Sequence, residues 1–401
     1  MKKIVLAIGL YLSLSSAQAQ VQANKTTTTQ NSSSNYQKRK LKLDEVSIMS
    51  SYYTQDGNRS AVTGGLGTEK LTDYANSLDL KLSFVDKLNR IHNINIDANI
   101  DYYTSASSDK IDSTTISSAS SDDIHFYPNV NYSITNKEKR QTIGLNASYS
   151  TEWDYKSYGG TLSYSKASKD NNTEITAKAG VFLDKWTLIL PVELRPTTYD
   201  RNATKPRNSY NLSLSVAQVI NKRLDVLLIA EPAYQEGLLS TPFHRINFAD
   251  KRVAIERLPT SRLKLPIGLR ANYFLGDNIV FRSFYRYYLD NWGMVAHTAN
   301  LEVPIKINSF FSVSPFYRFN RQSAVKYYKG FGQHTFDEAY YTSDPDIGGF
   351  DSHFIGSGVR LSPPEGVFGN KHFSALELRY GYYARTNTLR ANIVTLMLKF
   401  K

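Results

Sequence analysis

Residues 93–102 place Ile94, Ile96, Ala98, Ile100 and Tyr102 in strict alternation with Asn93, Asn95, Asp97, Asn99 and Asp101. Successive side chains of an extended strand point to opposite faces, so this order gives one apolar face and one wet face. The pattern recurs in Leu78, Leu80, Leu82 and Phe84; in Ile143, Leu145, Ala147 and Tyr149; and in Tyr210, Leu212, Leu214 and Val216. Leu263 to Tyr273 and Val394 to Phe400 repeat it, and helical spacing fits none of these stretches better. From Leu43 onward, period two governs what the chain can fold into.

The connections decide which kind of sheet. Short polar turns at 86–90, 136–140, 167–172, 221–223, 276–278 and 306–309 are separated by longer segments at 55–76, 104–123, 185–208, 236–261 and 320–352. Long and short connections alternate in a closed antiparallel transmembrane β-barrel, which carries short periplasmic turns at one end and long extracellular loops at the other. Strands are expected at 43–54, 77–86, 91–103, 124–135, 141–151, 158–166, 173–184, 209–220, 224–235, 262–274, 279–290, 295–305, 311–319, 353–361, 373–384 and 388–401. The fold class is therefore all-β, a barrel of about 16 strands, with 14 to 18 compatible with the uncertain strand edges. An even count leaves both termini in the periplasm, and a barrel of this size has room for an aqueous channel.

Composition agrees. The 401 residues include no cysteine, which excludes disulfide scaffolds, thiolate metal sites and a lipidated cysteine. No stretch after the first twenty residues approaches the roughly 20 apolar residues of a spanning helix. Tyrosine is abundant, at 28 residues. Pairs such as Tyr52-Tyr53, Tyr102-Tyr103, Phe126-Tyr127, Tyr287-Tyr288 and Tyr382-Tyr383 fall near strand ends, where aromatic girdles mark the edges of a bilayer. Residues 1–19 read as a signal peptide, with Lys2 and Lys3, an apolar stretch from Ile4 to Leu14, and Ala17-Gln18-Ala19 before the cut. Residues 20–42 read as a flexible periplasmic leader, and 43–401 as the barrel. The formal charge of +12 is spread over turns and strand faces with no basic helix stripe, so nucleic acid is not an expected partner.

The start from Glu45 to Ser51, the segment from Tyr53 to Gly65, the run from Asp101 to Asp109 and the strand-rich C-terminal half resemble an uncharacterised family of exported outer-membrane β-barrel proteins, known as a domain of unknown function. The resemblance covers most of the chain. It implies location and architecture and brings no catalytic residues. Phe400 resembles the terminal aromatic that barrel-assembly machinery reads, although Lys401 follows it. Expected partners are thus outer-membrane lipid, that machinery and small polar or anionic solutes.

The strand faces opposite the apolar rows carry the functional argument. Lys264, Arg270, Arg282, Arg286, Arg318, Arg360 and Arg379 form a basic set in the C-terminal half, and Asp97, Asp101, Asp225, Glu231 and Glu302 an acidic set. Lining a lumen, the two walls create a transverse field that orients dipolar solutes and biases ion selectivity. The same residues also suit internal ion pairs in a plugged barrel. The reading that follows is a pore for small polar solutes. Its rivals are a non-conducting scaffold for an envelope partner protein and a barrel-borne hydrolase.

No cofactor is expected. The repeat Ser105-Ala106-Ser107-Ser108-Asp109 and Ser118-Ala119-Ser120-Ser121-Asp122 brings Asp109, Asp112, Asp122 and Asp123 into one loop. These offer the hard oxygens that calcium takes, without the ligand order of a calcium hand. Solvation of the loop, or its folding inward to constrict the pore, accounts for the repeat equally. The seven histidines are scattered singly, with no zinc-protease spacing. His334 and His353 lie in or beside the longest loop with Asp337, Glu338, Asp344, Asp346 and Asp351, the best place for a metal or catalytic centre. Otherwise that loop reads as a solvated, glycine-punctuated surface segment.

Overall fold

The structure, a computed structural model, describes residues 41–104 and 122–401. Sixteen strands follow one another: β1 Lys42–Asp56, β2 Leu71–Val85, β3 Ile91–Tyr103, β4 Asp123–Phe126 continued by Asn129–Asn136, β5 Gln141–Thr151, β6 Tyr155–Ala167, β7 Thr173–Thr187 and β8 Thr204–Asn221. Then come β9 Leu224–Ala230 continued by Ala233–Gly237, β10 Ser261–Leu275, β11 Ile279–Asp290, β12 Val295–Glu302 continued by Ile305–Lys306, β13 Phe311–Gln322, β14 Phe350–Leu361, β15 Phe373–Arg385 and β16 Arg390–Phe400. Each pairs antiparallel with the next, and β16 pairs back onto β1 from Val46↔Phe400 to Asp56↔Arg390. That last pairing closes the barrel and leaves no edge strand.

All sixteen expected strands are present, and their differences from expectation have physical causes. β2 begins at Leu71 rather than 77 and β8 at Thr204 rather than 209. The ladder continues there through Thr54↔Thr72 and Thr187↔Thr204, where the side chains are too polar to show alternation. β4, β9 and β12 are each interrupted beside a proline, which has no N–H to donate. The carbonyls of Pro128, Pro232 and Pro304 still accept from Tyr149, Leu212 and Val280 of neighbouring strands, so each break loses only a donor.

The barrel is apolar outside. Leu145, Leu162, Leu228, Leu269 and Leu378 project outward and stay exposed, while the alternate residues on each strand turn inward and are mostly half-buried. A closed sheet with an apolar outer belt is a membrane-spanning architecture, because every backbone group is paired within the sheet. Tyr52, Tyr74 and Tyr102 stand side by side on β1, β2 and β3 as an outward aromatic row. Their sequence neighbours Tyr53 and Tyr103 are buried. Adjacent strand residues face opposite ways, so each paired aromatic divides between the belt and the interior and only one member joins a girdle.

At one end, strands are joined by 86–90, 137–140, 168–172, 222–223, 276–278, 307–310 and 362–372. The other end carries 57–70, 188–203, 238–260 and 323–349, together with tight turns at 152–154, 291–294 and 386–389, and β3 ends and β4 begins there, at Tyr103 and Asp123. The loops at this end are not merely solvated. Leu258, Trp292, Met294, Val325 and Ile347 form a buried cluster, against which Leu239, Tyr288, Tyr327 and Tyr328 pack. Nearby, Ile246, Phe248 and His334 are buried around a small hairpin of Arg245–Asn247 with Val253–Ile255. The aromatic content of these loops supplies a core of their own, which a glycine-punctuated surface segment lacks. Gly64 sits at φ 80° beneath this hairpin, where a Cβ would meet Asn247 Nδ2 at 2.6 Å, and Arg245 Nη1 donates to the Val62 carbonyl at 3.3 Å. Loops 57–70, 238–260 and 323–349 thereby interlock into a folded cap.

Candidate functional site

The basic residues read from the sequence lie opposite the apolar rows, on β10 to β15. On the enclosed side, Arg282 Nη1 of β11 lies 3.6 Å from Glu302 Oε1 of β12, and Arg379 Nη1 of β15 lies 3.3 Å from the same oxygen. Glu377 Oε1 accepts from Arg379 Nη1 at 3.1 Å, and Arg360 Nη1 approaches Glu377 Oε2 at 3.9 Å. The Glu302–Arg379 contact joins β12 to β15, which are not hydrogen-bonded neighbours, and only side chains pointing into the barrel achieve that. Glu302 and Glu377 sit among the arginines, so this wall is mixed in sign rather than uniformly basic. Arg270 is within electrostatic reach of Asp225 and Arg282, and Arg286 of Glu231. Asn272 Nδ2 donates to Asp225 at 2.9 Å. Lys264 shares β10 with Arg270, on the same face.

Aromatic rings back the arginines. Arg379 lies over Phe316 at 5.1 Å and Arg318 over Phe354 at 5.9 Å, and the two rings are 5.0 Å apart. Glycine makes the room. A Cβ on Gly381 would meet Phe354 Cε2 at 2.5 Å, and one on Gly356 would meet the Tyr380 carbonyl at 2.1 Å. Gly159 under Phe182 and Gly268 under Phe284 repeat the device on other strands. Large inward rings lie flat across a neighbouring strand instead of projecting into the lumen.

Of the acidic set only Asp97 and Asp101 stand away from the arginines, on β3. Asp97 faces Asp79 in register and accepts from Asn129 Nδ2 at 3.1 Å. Lys81 Nζ bridges to Glu45 at 2.9 Å, and Lys399 reaches the same carboxylate at 3.4 Å. Asp101 accepts from the Tyr127 hydroxyl at 3.1 Å. Beside it, His125 Nε2 and Ser150 Oγ share a 2.8 Å hydrogen bond, while His125 Nδ1 lies 3.6 Å from Glu152 and 3.8 Å from Asp101. A serine, a histidine and two carboxylates thus converge from β3, β4, β5 and the β5–β6 turn. No spacing in the sequence announces this grouping, because it depends on strand register alone.

The histidines of the longest loop are structural. His334 is fully buried between Glu338 Oε2 at 2.7 Å and the Thr342 carbonyl at 2.9 Å. Burial alone raises the Glu338 carboxyl, but Lys329, the Thr335 amide, His334 and the Thr335 hydroxyl outweigh it and hold the group at about 2. His353 lies on β14 facing outward, its Nδ1 2.7 Å from the Tyr317 hydroxyl. Asp351 is held by Arg321, and Asp346 by Arg385. Burial, followed by the Asp346 carboxylate, pushes the Glu69 carboxyl in loop 57–70 up to about 7. Asp344 leaves this set and joins His244 and Glu256 of loop 238–260. Of the repeat aspartates, Asp109 and Asp112 lie outside the described residues. Asp122 accepts from Tyr102 and Asp123 from Tyr103, the Ile124 amide and the Trp153 amide.

The architecture is that of an outer-membrane β-barrel. Among solved structures, the chain is similar to OccD3 (OpdP) of Pseudomonas aeruginosa, with 7% identity and a TM-score of 0.43 over 90% of this chain and 91% of that one. It is also similar to a BenF-like porin from Pseudomonas fluorescens Pf-5, with 10% identity and a TM-score of 0.40 over 89% and 98%. The siderophore receptor PirA from Acinetobacter baumannii is 10% identical with a TM-score of 0.43, over 85% of this chain and 53% of the receptor. No curated protein sequence matches. Residues 13–393 match the family described as "Protein of unknown function (DUF3570)", and the chain belongs to that family.

Proposed function

We propose that this barrel is a passive or gated channel for small polar solutes across the outer membrane, with the capped end outside and the short-turn end in the periplasm. On this reading residues 1–19 are removed on export and 20–42 remain as a periplasmic leader. One observation carries it. The arginine ladder faces inward, yet the side chains of Arg282 and Arg360 remain 36% and 44% exposed. Burying such groups in a dry, plugged barrel costs several kcal/mol per ion (order of magnitude), so accessible inward guanidinium groups near the short-turn ends of β11 and β14 support a lumen that is wet at that mouth. Lys264, Arg270, Arg282, Arg286, Arg318, Arg360 and Arg379 then line one side of the pathway with Asp225, Glu231 and Glu302 interspersed among them, and Asp97 and Asp101 lie on β3. The test is single-channel recording from the purified, folded protein in planar bilayers. Discrete conductance steps are expected. Their absence, with and without loop 323–349, leaves a non-conducting scaffold as the better account.

A second reading, ester hydrolysis, rests on the Ser150–His125–Glu152/Asp101 grouping. The serine hydroxyl is nucleophile and His125 takes its proton, with Glu152 and Asp101 at 3.6 and 3.8 Å from Nδ1 supplying negative charge beside the imidazolium. Hydrolysis of a soluble nitrophenyl ester that disappears in Ser150→Ala with conductance unchanged supports it, and an inert wild type refutes it.

A further inference from the structure

The cap contains a second concentration of chemistry, remote from the barrel wall. His244 and Glu256 of loop 238–260 meet Asp344 of loop 323–349, with one nitrogen and two carboxylate oxygens all within 4.8 Å of one another. The three residues are 8%, 5% and 7% exposed. His244 Nδ1 is buried, has no hydrogen-bond partner among the described residues, and lies 3.6 Å from Glu256 Oε1. Glu256 accepts from the Thr241 amide at 2.6 Å and from the Thr342 hydroxyl at 2.5 Å. Among the described residues no lysine or arginine pairs with it. Two carboxylates drawn together away from water repel each other and lose hydration, and one imidazole supplies at most a single positive charge.

We propose that His244, Glu256 and Asp344 bind a first-row divalent cation of the zinc class, which ties the two longest cap loops together. One imidazole and two carboxylates make a three-residue donor set of the kind zinc accepts, with a fourth position for water. The unsatisfied Nδ1 is the free lone pair such a site requires when the imidazole is neutral. Thr342 links the two acidic residues: its hydroxyl donates to the Glu256 carboxylate and accepts from the Asp344 backbone amide at 3.1 Å, holding the Asp344 backbone beside Glu256. The ion offsets the charge that the cap otherwise buries. It also joins segments far apart in sequence, so its binding energy becomes cap stability. The inference does not depend on whether the barrel conducts.

The test uses the full-length protein without a histidine tag, folded in detergent, stripped with chelator and titrated with zinc in competition with a chromogenic indicator. One site per chain is expected. Asp344→Asn and His244→Ala should each weaken binding by at least about tenfold, while His372→Ala, at the opposite end of the barrel, leaves it unchanged. Zinc should also slow proteolytic cutting within 323–349 in the wild type and not in Asp344→Asn. Heat-modifiable migration on gels identifies variants that remain folded, and the near-isosteric Asp344→Asn keeps the question open to measurement if His244→Ala does not. Zinc binding that survives in both folded variants, a wild type that binds none, or a site that takes calcium and refuses zinc overturns the proposal.

Discussion

Glu302 is the position at which the lumen reading meets its most direct test. Its Oε1 lies between Arg282 at 3.6 Å and Arg379 at 3.3 Å. With Glu377 and Arg360 the ladder holds three positive and two negative charges, a net of +1, and Glu302→Gln raises that to +2. Arg379 keeps Glu377 as a counter-charge at 3.1 Å, so the variant retains a paired arginine and should fold. A monovalent ion passing about 8 Å away feels the deleted charge by about 0.5 kcal/mol at the dielectric of water, and by about 2 kcal/mol at an effective value of about 20. Screening over about 10 Å in 0.1 M salt roughly halves these figures. Anions gain what cations lose, so the anion-to-cation permeability ratio should rise about twofold at the watery limit and further where the lumen is drier. At 1 M salt, with a screening length of about 3 Å, the difference should nearly vanish. The assay is the reversal potential across a bilayer under a KCl gradient, at low and at high salt. Arg282→Gln should move it in the opposite direction. Equal shifts for both variants, or no shift at low salt, would falsify the claim that Glu302 and Arg282 border the conducting path.

Other outcomes probe the belt and the cap. Leu228 faces outward at 52% exposure, so Leu228→Arg should destabilise the barrel in bilayers by about 2–4 kcal/mol if it lies near the midplane, measured by denaturant unfolding. The inward Asp225→Asn on the same strand should cost much less. Trp292 is 3% exposed, donates to the Ser261 carbonyl at 2.9 Å and stacks on Arg262 at 4.4 Å. Trp292→Ala should cost the cap about 3–5 kcal/mol. Faster proteolysis within 323–349 with unchanged heat-modifiability is expected, and a lost gel shift shows that the damage is not local. Glu69, raised from 4.5 to about 7, binds a proton in the folded cap that the opened loop has released between those values. Cap stability should therefore fall as pH rises from about 4.5 to 7 and level off above. Proteolysis rates, corrected for the protease's own pH profile, should show that slope in the wild type, and Glu69→Gln should flatten it.

Alternation located the strands, and the order of long and short connections made them a barrel. Leu, Ile and Val at every second position place a residue on the lipid side or the inner side whatever the rest of the chain does, and that local rule located all sixteen strands. It also named the inner-face charges, since Arg270 must oppose Leu269. The rule has no knowledge of distance across the barrel. Glu302 and Arg379 share an ion pair only because the inner faces of β12 and β15 come within side-chain reach, and Phe316 lies flat only because Gly356 and Gly381 sit beside it. The same rule, applied strictly, splits the tyrosine pairs between the two faces.

Beyond the strands, pattern falls silent. His125 reaches Ser150 through the register of β4 with β5, and His244 reaches Asp344 because two loops share one apolar core. Neither grouping has a characteristic spacing, for loop residues carry no period and their partners come from distant turns. Local order along the chain carries the strands, the polarity of their faces and the alternation of long and short connections. Closure of β16 on β1, the meeting of particular charges and the folding of the long loops arise from packing between segments whose separation along the chain is unrelated to their separation in space.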